Sequence, residues 1–229
     1  MKIAEVRKSY SYSRDLPKNL KPEDHFRFDP ILKCVVSEAF LEKLQGVSVC
    51  QYYIFLGSKL LEDFCLPIQK RGKVRVWKHR LKSQIFPKVE ISEAVWITDL
   101  WSRNYFHWIL ECLPRLLVLR NQGIKVPLLI PEHIYEAHFV KESLDAFQVD
   151  VIPFNFRQTV KVASLYLASH DSPCAFDPLY IKNVVSRFQE LDSPPTKTAT
   201  RKVYISRRDS FKRKVENEPD LISLLTRFG

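Results

Sequence analysis

His107 and Glu111 stand four residues apart in the stretch Asn104-Tyr105-Phe106-His107-Trp108-Ile109-Leu110-Glu111. On a helix that spacing puts both side chains on one face. An imidazole titrates near neutrality and can take a proton from a hydroxyl; a carboxylate one turn away can orient it or hold its charge. The competing reading is that His107 caps the helix or packs beneath Trp108 and Tyr105. A His-x-x-x-Glu metal site is conceivable, but no third ligand stands nearby in sequence. Upstream, Asp99 follows the apolar run Ala94-Val95-Trp96-Ile97-Thr98. A carboxylate at a strand end is placed either for chemistry or to cap its own loop. No Asp-x-Asp pair occurs, which disfavours holding a nucleotide diphosphate through a metal bound there.

A second concentration of reactive groups lies at 201–214. It holds Arg201, Lys202, Arg207, Arg208, Lys212, Arg213 and Lys214, interrupted by Asp209. Guanidinium forks match phosphate oxygens two bonds at a time. Asn217, with Asp220 three residues on, is a good N-cap, so the first amides of a helix beginning there offer a further anion site. Together these groups suit a diphosphate; alternatively they form a solvated basic loop. The net charge of +10 fits nucleic acid, an anionic membrane face, a nucleotide diphosphate or an unremarkable basic surface. Nucleic acid is the least supported, since only Tyr204 and Phe211 interleave the cations and no known recognition pattern is present.

These residues need a scaffold, and the composition supplies one. Apolar residues make up 45% of the 229-residue chain, enough for a sizeable core. Only five glycines occur and none form Gly-x-Gly, which disfavours a dinucleotide fingerprint or a P-loop. The five cysteines include no Cys-x-x-Cys, so they read as apolar fillers in a reducing compartment and not as zinc ligands. No signal peptide is visible, and no apolar run approaches the roughly 20 residues that span a bilayer. The expectation is a soluble cytoplasmic protein, with association at the inner membrane face left open.

Along the chain, residues 1–30 read as an irregular arm punctuated by Pro17, Pro22 and Pro30. Strands are expected at 34–36, 47–56, 74–77 and 94–98. Apolar spacing predicts a helix over 104–120 that Pro114 kinks or splits, ended by Gly123 in the left-handed region. Strands at 126–130, 149–152 and 160–168 alternate with helices at 134–147 and 177–191. That alternation argues for an α/β domain with a parallel sheet over 31–191, preceded by a β-rich segment. Residues 192–200 form a Pro/Thr/Ser linker. A strand at 202–206 and a helix at 217–228 follow; one such unit cannot bury a core alone, so it either packs on the preceding sheet or, the favoured reading, begins a second domain, 201–229.

At these motifs the chain resembles the family-61 glycosyltransferases. The resemblance rests on Asn104 to Trp108, Glu111 and Pro114-Arg115, then on Tyr204-Ile205-Ser206-Arg207-Arg208, Arg213 and Asn217-Glu218. It covers roughly residues 90–229. It implies a GT-B-like enzyme of two Rossmann-type domains, inverting and metal-independent. Such an enzyme moves a sugar from a nucleotide-sugar to an acceptor hydroxyl in polysaccharide or glycan synthesis, with no cofactor besides the donor. On this resemblance His107 is the base or acceptor binder, Glu111 its orienter and Asp99 the alternative base. Asn104 binds substrate, and Arg207, Arg213 and the amides after Asn217 hold the diphosphate. Family members continue through further β-α units, so the expectation is a C-terminally truncated form, not competent by itself. The alternative is a non-catalytic remnant serving as a binding module.

Overall fold

The antiparallel pair β4 (Ala39–Cys50) and β10 (Thr159–Ala168) is the spine of the first of two units, Met1–Leu191 and Asp192–Gly229. The computed structural model describes residues 2–61, 73–169, 177–191, 203–210 and 214–227. One edge of β4 takes β1 (Lys2–Arg7) near its start and β5 (Tyr53–Leu56) near its end, with β6 (Lys59–Leu60) beyond β5. On the other side of β10 follow β7 (Lys88–Trp96), β8 (Leu128–Pro131) and β9 (Val151–Phe154), each parallel to its neighbour. The fold is therefore α/β with a mixed sheet, and the β-rich segment does not merely precede the parallel strands but joins them. A separate ribbon pairs β2 (Tyr10–Ser13) with β3 (Lys33–Val36).

Several expectations change on contact with this sheet. The first thirty residues are not an irregular arm throughout, because β1 and β2 lie there and both pair. Their polar, charged character is that of edge strands, which carry charge to discourage further pairing. The single strand expected at 47–56 is a hairpin that reverses at Gln51, whose φ is 58°. Gln51-Tyr52 lacks the Gly or Asn that marks such turns, so the sequence gives no warning. The strand expected at 74–77 is instead the start of helix α2 (Lys73–Ile85). Two alternating valines there sit inside a window of Lys, Arg, Leu and Gln, all good helix formers, and the longer window wins.

The helix expected at 104–120 is α3 (Tyr105–His107), a π turn (Trp108–Cys112) and α4 (Leu113–Asn121). Leu113 donates its N–H to the carbonyl of Trp108, five residues back. Pro114 explains this: it has no N–H, and its ring crowds the carbonyl four residues earlier, which a widened turn relieves. Gly123, at φ +78°, ends α4 as expected. Its N–H reaches the carbonyl of Arg120 at 2.9 Å and that of Ile124 reaches Leu119 at 3.1 Å, the paired bonds of a Schellman motif. The helix expected at 134–147 is broken into α5 (Glu132–Tyr135) and α6 (His138–Ala146), and α7 (Pro178–Leu191) follows β10.

Successive residues at the end of β7 and just past it point to opposite faces and enter different cores. Val95 and Ile97 join Trp108, Leu113, Leu116 and Leu144 on the helix side. Ala94 and Trp96 join Val49, Phe55, Val160 and Leu165 on the other. Burying each large apolar side chain contributes about 1.5–3 kcal/mol, so this layer fixes α4 against the sheet. In the second unit, α8 spans Glu218–Thr226. Of the strand expected at 202–206, the described residues 203–206 are not in a strand. The linker at 192–200 lies outside the described residues. No helix among the described residues is long and apolar enough to cross a membrane.

Candidate active site

The π-turned helix sorts its residues into two environments. Trp108 is fully buried and donates Nε1–H to Ser143 Oγ at 2.7 Å, which ties the turn to α6. His107 and Glu111 lie on the partly buried side, with Nδ1 and Oε2 3.0 Å apart. The His107 ring stacks on Trp101, centroids 5.2 Å apart, and meets Phe106 edge-on. Burial pushes the Glu111 carboxyl above the usual range; His107 pulls it back, Asp99 adds to the rise and Arg115 opposes it. A carboxyl so placed is neither fully committed to its charge nor far from an imidazole that can carry the opposite one.

Behind this pair lies a buried network. Asp99 accepts from the Trp101 N–H at 2.7 Å and from Ser102 Oγ at 3.2 Å, and its Oδ2 stands 3.5 Å from the Arg115 guanidinium. Ser102 Oγ in turn accepts from the Asp99 N–H and takes the Cys112 thiol at 3.2 Å. Arg115 Nε donates to the Glu111 carbonyl at 2.9 Å. Burial drives the Cys112 thiol up to about 12, so it is a neutral filler at physiological pH. Asp99 is thus occupied as a loop cap and as the counter-charge of a buried arginine. Asn104 has a local duty too: its Oδ1 accepts from the Phe106 N–H at 2.9 Å and caps α3.

A third group approaches from the hairpin. Tyr52 hydrogen-bonds His133 Nε2 through its hydroxyl, and both rings meet Phe156 edge-on. Gln51, in its left-handed conformation, reaches the Phe156 carbonyl with its side-chain amide at 3.4 Å, so the turn is held from the side it faces. Burial raises the Tyr52 phenol to about 12, Asp99 adding to the rise and Arg103 opposing it. Burial also lowers His133, with Arg103 acting in the same direction. Tyr52, His133, Arg103 and Asp99 therefore share one electrostatic neighbourhood.

The second unit holds a separate arrangement around Glu218, the first residue of α8. Its Oε1 accepts from Tyr204 hydroxyl at 2.8 Å, Ser206 hydroxyl at 2.9 Å and the Arg207 N–H at 2.8 Å. These bonds, the Arg207 N–H foremost, hold its carboxyl below the usual range. The segment is closed further by Arg208 N–H to Ser206 Oγ at 3.1 Å and by the Arg207 guanidinium on Ser210 Oγ at 3.2 Å. Asn217 occupies the N-cap position but its side chain makes no capping bond. With Pro219 lacking an N–H and Glu218 and Asp220 in the first turn, anion binding here falls to the arginine side chains more than to helix amides. Arg213 lies outside the described residues.

Of the residues singled out from sequence, His107, Glu111 and Asp99 come together, with Asn104 at the start of the same helix. Arg207 and Asn217 belong to the second unit. Sequence reasoning gave no role to Tyr52, Ser102 or His133, nor to Arg115, Tyr204 and Glu218 beyond their place in a motif. Glu218 had a usable signal, an acid opening a helix shortly after a Tyr-x-Ser-Arg run. Among the described residues no group of three or more His, Cys, Asp and Glu is disposed to hold a metal ion. A family model described as Glycosyltransferase 61 matches residues 105–229, a span that begins at α3 and takes in the second motif and all of the first but Asn104; Asp99 precedes it. No curated protein and no solved structure matches the chain.

Proposed function

Because the chain belongs to glycosyltransferase family 61, we propose that it moves a sugar from a nucleotide-sugar to an acceptor hydroxyl with inversion at the anomeric carbon. In this reading the acceptor oxygen attacks that carbon. The bond to the donor's diphosphate breaks, and its electron pair leaves with the phosphate oxygen. His107 Nε2 takes the acceptor proton, since Nδ1 is turned to Glu111. Glu111 holds the imidazolium that results. Asp99 and Arg115 brace the helix from behind, with Asp99 in reserve as the alternative base. Arg207 and Arg213 are assigned to the charge developing on the leaving diphosphate, which needs no metal in this scheme. A GT-B arrangement and a place in polysaccharide or glycan synthesis are parts of the same proposal.

The observation that carries the reading is the 3.0 Å approach of His107 to Glu111 on a partly buried helix face. A histidine packed only for structure does not need a partly buried carboxylate aligned with its ring. The test is turnover of radiolabelled nucleotide-sugars against a panel of glycan acceptors. His107→Ala should lower kcat by roughly a hundredfold or more. Arg207→Ala should mainly weaken donor binding. Full turnover in both variants would overturn the assignment.

A further inference from the structure

Helix α2 turns its two sides to different surroundings. On the inner side the His79 ring lies 4.1 Å from that of Tyr53, and Phe86, just past the helix, packs on the core. Between them Ser83 is buried, and its carbonyl accepts from Thr159 Oγ1 at 3.1 Å. At about 100° per residue, the opposite side carries Trp77, Leu81 and Ile85, one turn apart. These three are 60%, 41% and 69% exposed. Lys78 and Lys82 border the stripe on one side and Arg80 on the other, all exposed. No Asp or Glu occurs anywhere in the helix.

An ordinary surface helix shows its polar face outward, and this one places a Trp, a Leu and an Ile there instead. What would cover them is constrained by charge. A two-fold contact between copies would bring α2 against α2 and set the cations of one against those of the other. An acyl layer beneath phosphate headgroups meets both demands at once: it takes the apolar stripe, and its anions take the flanking cations. Tryptophan is also the side chain that favours that boundary. We propose that α2 lies flat on an anionic lipid bilayer, with Trp77, Leu81 and Ile85 in the acyl boundary and Lys78, Arg80 and Lys82 at the phosphates.

The test is co-sedimentation with vesicles of phosphatidylcholine alone and of equimolar phosphatidylcholine and phosphatidylglycerol, at physiological salt. The chain should bind the anionic vesicles and leave the neutral ones largely free. The variant Trp77→Ser/Leu81→Ser/Ile85→Ser keeps the net charge of +10, so any general attraction of a basic chain survives in it. Its partition coefficient should nevertheless fall at least tenfold. Lys78→Glu/Lys82→Glu should also lose binding, and Trp77→Ser alone should lose it several-fold, which keeps the test decisive if the triple variant does not fold. Undiminished binding of the triple variant would overturn the proposal by reducing it to bulk charge. So would a failure of the unaltered chain to bind, or a solution dimer that the triple variant dissolves. No sugar enters the assay, so its result is independent of the transferase reading.

Discussion

Glu111 and Glu218 are both mostly enclosed carboxylates, at 12% side-chain and 3% residue exposure, yet their surroundings act in opposite directions. Around Glu111 burial dominates, and the carboxyl titrates above the usual range despite His107. Around Glu218 three donors converge on one oxygen, and the carboxyl titrates below it. The lesson is that enclosure alone says little about the work of an acid. A carboxylate short of donors keeps access to its neutral form and suits proton traffic. One saturated with donors is a fixed anion, and its work is to hold a shape. Here that shape is the 204–208 segment that presents Arg207 and Arg208.

Of the changes that test this contrast, removing the fixed anion should have the largest effect. In Glu218→Ala, three donors lose their acceptor and the segment opens. Amide exchange at Arg207 should accelerate at least tenfold, and binding of a nucleoside diphosphate measured by calorimetry should weaken by a similar factor. The pH dependence is a second mark. Because the folded value is depressed, Glu218 contributes stability above the usual carboxylate range, and this is lost as pH falls through the folded value. Glu218→Gln should flatten that acid limb of the exchange profile.

Glu111→Gln should separate function from stability. Turnover should drop roughly tenfold as the imidazolium loses its counter-charge, while the melting temperature at neutral pH holds or rises. The sign follows from the raised carboxyl. Between the ordinary carboxylate value and the raised one, the folded state binds more protons than the unfolded state. Stability therefore falls as pH climbs through that window. The Gln variant should lack this decline in pH-dependent thermal melts. A variant that loses stability at neutral pH would instead make Glu111 a structural acid like Glu218, and the contrast would collapse.

The smallest effect is expected from the hairpin. Tyr52→Phe keeps the ring contacts with Phe156 and deletes the hydroxyl bonded to His133. It should cost about 1 kcal/mol in denaturant unfolding, the net worth of one such bond. The His133 ring signals in NMR should shift while those of His107 stay in place.

How much of this was legible in advance follows the distance each contact spans along the chain. His107 and Glu111 were readable because four residues on a helix is a local rule. Asp99 was readable as a strand-end acid, but its attachment to Arg115 required knowing how α4 returns to the strand. Tyr52 and His133, 81 residues apart, were not readable at all, since nothing local marks either as polar machinery. The alternating elements from β7 to α7 were largely legible through periodicity. The segments that misled were short or charged: β1, whose cations hid its strand character, and the first turn of α2, whose valines imitated one.

The wide turn ahead of Pro114 sets a phase. Each residue of an α-helix advances the side chains by about 100°, so one residue more in a turn rotates everything before it relative to everything after. The half that locks into the sheet through Leu113, Leu116 and Leu119 and the half that displays His107 are therefore indexed independently. Replacing Pro114 by a residue with an N–H would permit the two halves to re-register as one continuous rod. The imidazole would then swing around the helix axis while the leucines stayed in place. A single imino acid thus acts as the key that decides which way the His107 edge of this helix looks.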